Sequence, residues 1–155
     1  MNPANEDGID WEDYEVRADE RVLLLTVPPS GLVAALSRRL ERGIVVALGE
    51  REAVHSARRA LREYRNVMFH PGTPTEIPFE DGFFTRIIDF SGGWHEPERV
   101  AGEIARALAP GGKAYLRVAD SGALVEAGLV ESGPGAEIRA FDKPVTGASG
   151  PSEGD

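Results

Sequence analysis

Five short apolar runs, "VLLLTV" (22–27), "IVVAL" (44–48), "VMF" (67–69), "IIDF" (87–90) and "AYLRV" (114–118), alternate with segments of helical period. No other feature limits the fold so strongly. Runs of this length fit strands buried on both faces. Between them the spacing predicts a helix from Gly31 to Arg42 that buries Leu32, Leu36 and Leu40, with Ser30 as its N-cap and Gly43 as its stop. A second helix over 51–64 puts Val54, Ala57, Leu61 and Tyr64 on one face. A third over 97–108 buries Val100, Ile104 and Leu108 before "APGG" ends it. Such a rhythm implies an α/β fold, doubly wound, with a mostly parallel sheet, helices on both faces and right-handed crossovers. The stretch after Asp120, "SGALVEAGLVESGPGAEIRAF", has room for one helix and a short C-terminal hairpin.

The 155 residues, 41% of them apolar, suit one domain with one core. Its expected extent is 21–144, between an acidic N-terminal segment (1–20) and a small, polar, disordered tail (145–155). The net charge of -9 resides in those flanks: residues 1–20 hold eight acids against Arg17, and the tail adds Glu153 and Asp155. The neutral body and acidic total argue against general nucleic-acid binding. No apolar run is long enough to span a bilayer, no signal peptide is visible, and cysteine is absent, so a cytoplasmic location without membrane or disulfides is expected.

The stretch "RVAGEIARALAPGGKAYLRV" (99–118) resembles the class I S-adenosylmethionine-dependent methyltransferases, especially their type 11 branch. In that family a helix with E-I-x-R-x-L runs into P-G-G and then the fifth strand, and Glu103, Ile104, Arg106, Leu108, Pro110, Gly111 and Gly112 match. A second block, "NVMFHPGTPTEIPFEDGFFTRIIDF" (66–90), looks like its third strand, L-P-F segment and fourth strand, with Ile77, Pro78 and Phe79 in the L-P-F places. "FDKP" (141–144) is similar to the family's last strand. The resemblance covers Arg21 to Pro144 and implies a minimal Rossmann-like, methyltransferase-like fold.

The same resemblance tests the cofactor positions. The family's first motif is a strand ending in an acid followed by G-x-G-x-G. Laid on "LLTVPPS" (24–30), Leu24 takes the acidic place, and Thr26, Pro28 and Ser30 take the glycine places, with Gly31 following. Pro28 has no N–H to offer, and Pro29 holds it extended. At the end of the second strand, where an acid grips ribose hydroxyls, "ALGERE" offers Gly49 or Glu50. The adenine-contacting Gly-Asp after the third strand becomes Gly72-Thr73, a weaker acceptor than a carboxylate. The candidate cofactor-binding positions are therefore Thr26, Ser30, Gly31, Glu50, Thr73, Trp94 and His95, a degenerate set.

Trp94 and His95 enter because loops beyond the carboxyl ends of parallel strands line the crevice of such sheets. Alternatively Trp94 packs the sheet and His95 caps the next helix. Asp89, within a strand, reads as a hydrogen-bonded structural acid or an edge-strand position open to water, with a buried acid of raised pKa as the alternative. "DFSGGWHE" (89–96) lacks the Asp/Asn-Pro-Pro-Tyr motif of the family's amino-group methyltransferases. His55, His70 and His95 are scattered, no H-E-x-x-H occurs, and Ser91 has no G-x-S-x-G setting, so neither metal nor hydrolase chemistry is expected. Arg51, His55, Arg58, Arg62 and Arg65 recur at helical spacing with Arg59 beside them, forming a solvated face or a docking strip for an anionic partner or for residues 1–20.

Family members usually carry extra N-terminal helices over the cofactor. The acidic segment is the counterpart here, and an exposed cleft excludes water poorly. The expectation is thus a methyltransferase-like domain that has lost the usual S-adenosylmethionine binding. It would serve without cofactor or catalytic residues as a binding or interaction module, with a possible protein partner. The alternative is a minimal S-adenosylmethionine-dependent methyltransferase acting on a small molecule.

Overall fold

The computed structural model describes residues 14–133 and 138–145. In chain order these form β1 (Arg21–Leu24), α1 (Ser30–Arg39), β2 (Ile44–Gly49), α2 (Arg51–Ala60), β3 (Val67–Pro71), β4 (Phe84–Asp89), α3 (Pro97–Ala107), β5 (Leu108–Arg117), α4 (Gly122–Glu126), β6 (Val130–Gly133) and β7 (Ile138–Asp142). The sheet order is β3-β2-β1-β4-β5-β7-β6, parallel from β3 to β5, with β7 antiparallel to both neighbours. The chain winds outward one way from β1 and then returns to wind the other way, so the sheet opens a crevice at its carboxyl edge. This is the doubly wound fold expected, hairpin included.

Alternate residues of each strand serve opposite faces. Val22, Leu24, Val45 and Ala47 pack with Leu32, Leu36, Val54 and Ala57 under α1 and α2, while Leu23, Leu25, Val46, Leu48 and Ile87 pack with Val100, Ile104 and Leu124 under α3 and α4. The helix boundaries need correction. Helix α1 begins at Ser30, its N-cap is Pro29 (φ -55°, ψ 146°), and no side chain caps it. Gly43 is not its stop, because Leu40 is the C-cap; a Cβ on Gly43 would lie 2.2 Å from the Glu20 carbonyl, so glycine there permits a close backbone crossing. Helix α2 ends at Ala60 rather than Tyr64, and α3 hands over to β5 at Leu108 with no loop between.

The Pro-Gly-Gly motif has a steric reason. Gly111 sits at φ +85°, and a Cβ on Gly112 would meet Ala109 O at 2.9 Å and Thr85 O at 3.0 Å. Both glycines also bond Lys143, through Gly111 N–H to Lys143 O (2.8 Å) and Lys143 N–H to Gly112 O (3.0 Å).

No helix carries the chain from β3 to β4. Residues 72–83 make that crossing, held by α3: Arg106 donates to Ile77 O (2.8 Å), Phe79 O (2.9 Å) and Asp81 Oδ1 (2.7 Å), and pairs with Glu103, which accepts the Ile77 N–H (2.8 Å). The E-I-x-R spacing places Glu103 and Arg106 on adjacent turns, so they grip the I-P-F segment together.

Residues 14–20 pack on the body. Val16 is buried, and the Tyr14 ring meets Tyr115 and Phe90 edge-on at 5.0 and 5.7 Å. Arg86, 5% exposed within β4, donates to Tyr14 O (3.3 Å), Glu15 O (3.1 Å) and Thr85 O (2.7 Å) and pairs with buried Glu20 at 3.5 Å. Part of that stretch's acidity is therefore internal counter-charge. Burial, reinforced by Glu15, pushes the Tyr115 phenol up to about 12. Residues 1–13 and the tail from 146 lie outside the described residues.

Arg86→Ala leaves Glu20 without its buried partner and is expected to lower stability by about 3–5 kcal/mol in urea unfolding. The Arg106 hydrogen bond holds the Glu103 carboxyl below its ordinary 4.5. Because the folded value is the lower one, this contribution is present above pH 4.5 and is lost as pH falls through the folded value. Glu103→Gln should lower the melting temperature more at pH 7 than at pH 3, as calorimetry at both would read.

Candidate functional site

The carboxyl ends of β1, β2, β3 and β4 converge on a cleft of about 620 Å³. Five of the seven candidate residues line it: Thr26, Glu50, Thr73, Trp94 and His95. Ser30 and Gly31 do not. Both are exposed in the first turn of α1, beyond the cleft wall, because the helix begins one residue earlier than its pattern indicated.

The β1–α1 turn determines the shape of one wall. β1 stops at Leu24, so Leu25, Thr26 and Val27 form the turn, and no residue from 26 to 31 has a positive φ. Thr26 is exposed, whereas Val27 is half-buried against Gly49; a Cβ on Gly49 would lie 2.6 Å from Val27 Cγ2. The space that a glycine turn leaves open beside the end of β2 is thus filled by an isopropyl group. Pro28 and Pro29 supply no N–H groups.

The structure resolves the register at β2. Gly49 is its last residue, and Glu50 is the extended N-cap of α2 (φ -67°, ψ 155°), exposed, with no cap hydrogen bond from its side chain. Glu50 lines the cleft, and its carboxylate has no protein partner among the described residues. Thr73 is less available, since its hydroxyl is 2.6 Å from that of Thr75.

The β4–α3 loop hangs on Asp89, which is 1% exposed at the end of β4. Its carboxylate accepts the Trp94 indole N–H (2.7 Å), the Ser91 N–H (3.1 Å) and the Ser91 hydroxyl (2.8 Å). Asp89 is thus the structural acid, and its partners are what sequence reasoning missed. The Asp-x-Ser spacing, typical of a side chain bonding the backbone two residues on, was the available signal. Gly92 (φ +68°) and Gly93 (φ +64°) let the loop fold back so that Trp94 reaches Asp89. Trp94 both lines the cleft and packs against the α3 side of the core. His95 is exposed and does not cap α3; the N-cap is Glu96, left-handed at φ +55° and 3.6 Å from Arg99.

The cleft therefore has two carboxylates in its lining, Glu50 and Glu96, and no Lys or Arg. Such a surface favours neutral or cationic ligands with hydroxyls over anions. Among the described residues no group of His, Asp or Glu could hold a metal ion, and no helix is long and apolar enough to cross a membrane.

A family model described as a methyltransferase domain matches residues 29–116. Curated proteins yield no match. Among solved structures, an S-adenosylmethionine-dependent methyltransferase from Aquifex aeolicus is 16% identical, with 90% of this chain and 92% of that one covered, at a TM-score of 0.71. The YcgJ protein of Bacillus subtilis is 27% identical over 68% of this chain and 46% of its own, at 0.56. The [4+2]-cyclase SpnF is 18% identical over 79% and 56%, at 0.68. The chain thus spans about half the length of YcgJ and SpnF.

Asp89→Ala removes the common acceptor of Trp94 and Ser91. With Trp11→Phe, so that Trp94 is the sole indole, it is expected to red-shift the fluorescence and lower stability by about 1.5–3 kcal/mol, as urea titration would read.

Proposed function

The chain belongs to the methyltransferase-domain family, in the class I S-adenosylmethionine-dependent superfamily, and from that we propose that it is a binding module which keeps the family's cleft without the family's hold on the cofactor. One observation carries the reading: Val27 packs on Gly49 where the glycine turn would leave room, beside prolines that have no N–H. Two further polar groups of the cleft, the Thr73 hydroxyl and the Trp94 indole, already have partners. The family match begins at residue 29, just past the turn. That SpnF is a [4+2]-cyclase supports a use of this fold other than methyl transfer.

Isothermal titration with S-adenosylmethionine and S-adenosylhomocysteine tests the reading. The expected result is no saturable heat with either; saturable micromolar binding would overturn it. Val27→Gly, Pro28→Gly and Thr73→Asp combined, which return space, an N–H and a carboxylate, should then raise affinity for S-adenosylhomocysteine.

Glu50 favours a second reading. A free carboxylate at the end of β2 stands where the family grips ribose, as a minimal S-adenosylmethionine-dependent methyltransferase acting on a small molecule would require. Under it the titration saturates, and Glu50→Ala weakens binding by about 1.5–3 kcal/mol.

A further inference from the structure

At the corner where α2 meets β3, away from the cleft, the backbone and the arginines present a surface made chiefly of hydrogen-bond donors. β3 is the sheet's edge, with β2 on one side and no strand on the other. Asn66 O accepts from Val45 N–H (3.0 Å) and Gly72 N–H donates to Gly49 O (3.1 Å), so the alternation of the strand turns Val67, Phe69 and Pro71 outward. Two of these outward carbonyls are occupied: Arg58 Nη2 donates to Phe69 O (2.8 Å), and His70 Nδ1 lies 2.8 Å from Pro71 O. Among the described residues the Val67 amide has no hydrogen-bond partner, whereas Phe69 is 3% exposed, so its amide is covered, and Pro71 has none.

Beside this edge is a groove of about 300 Å³, floored by Leu61, Tyr64 and Val67 and rimmed by Arg58 and Arg62. The other half of the predicted stripe is altered: α2 ends at Ala60, so Arg62 and Arg65 lie in the turn beyond it and bring their charge to the strand edge. Among the described residues Arg51, Arg58, Arg59, Arg62 and Arg65 make no ion pair, although Glu52 and Glu63 are close in sequence. The acids of 14–20 cannot serve them, since Glu20 is committed to buried Arg86 and Glu15 lies beside it.

We propose that this corner docks an extended acidic segment of a partner protein, its carboxylates on Arg58, Arg59 and Arg62 and one apolar side chain in the groove. Charge complementarity selects the occupant. Guanidinium groups that make no ion pair among the described residues call for a chain rich in carboxylate oxygens, and guanidinium takes carboxylate in a bidentate fork. The apolar floor adds a demand that a simple polyanion does not meet. Arg58, holding Phe69 O through one nitrogen, keeps its other donors for the ligand.

The test uses the full chain and a fluorescein-labelled peptide, Glu-Asp-Glu-Leu-Asp-Glu-Leu-Glu-Asp, read by anisotropy beside oligoglutamate and oligouridylate of equal length. The leucine peptide is expected to bind saturably and about fivefold more tightly than oligoglutamate. The double variant Arg58→Glu, Arg62→Glu should weaken it about tenfold, as should high salt. In the wild-type protein the amide resonance of Val67 should shift with peptide, and Val67→Thr, which keeps the size and leaves every charge in place, should erase the preference over oligoglutamate. Circular dichroism checks that each variant is folded. Absence of saturable binding, binding indifferent to the charge reversal, or tighter capture of oligouridylate would overturn the proposal. The peptide and cofactor titrations report on separate surfaces, so either reading can fail alone.

Discussion

A guanidinium replaces a helix in the crossing from β3 to β4. Parallel strands separated by two others must be joined by a chain that runs back over the sheet, and in a doubly wound fold a packed helix usually supplies the order for that return. Here twelve residues make it, and Arg106 and Glu103 hold them by Ile77 and Phe79. Much follows from that clamp. Phe79 and Phe83 are delivered to the α3 side of the core, β4 is fed in beside β1, and Thr73 to Thr75 are left as one lip of the cleft.

The parts of this architecture that were legible in the sequence are those written as periodicity or as steric need. Strand and helix order followed from apolar spacing, and Glu103, Arg106, Gly111 and Gly112 carried a family pattern because each meets a demand that few other residues can. The site was legible only as a set of loops. That Val27 would lie on Gly49, and that Trp94 would bond Asp89, depends on turn conformations that no period encodes. Ser30 looked like a cap because its chemistry suits one, but the extended conformation of Pro29 already starts the helix. Likewise the sequence marks residues 1–20 only as an acidic segment, and the use of Glu20 by buried Arg86 is a tertiary fact.

The chain therefore divides the family pattern in two. Residues that close the sheet and fix its crossings stand in their family places, whereas at the cleft the β1–α1 turn carries Val27, Pro28 and Pro29, the Trp94 indole is engaged by Asp89, and Glu50 has no partner among the described residues. The cleft persists because the winding of the sheet creates it, independent of what lines it.

The contact between Val27 and Gly49 ties two turns at the mouth of the cleft together. While Val27 is in place, a larger residue at 49 has no room, and a glycine placed at 28 alone would still face an occupied pocket. Opening this wall therefore takes a change at 27 as well as one at 28, the first to clear space and the second to return an N–H. A packing detail of a few ångströms thereby makes two neighbouring positions one unit, so that the shape of this wall is set by them jointly.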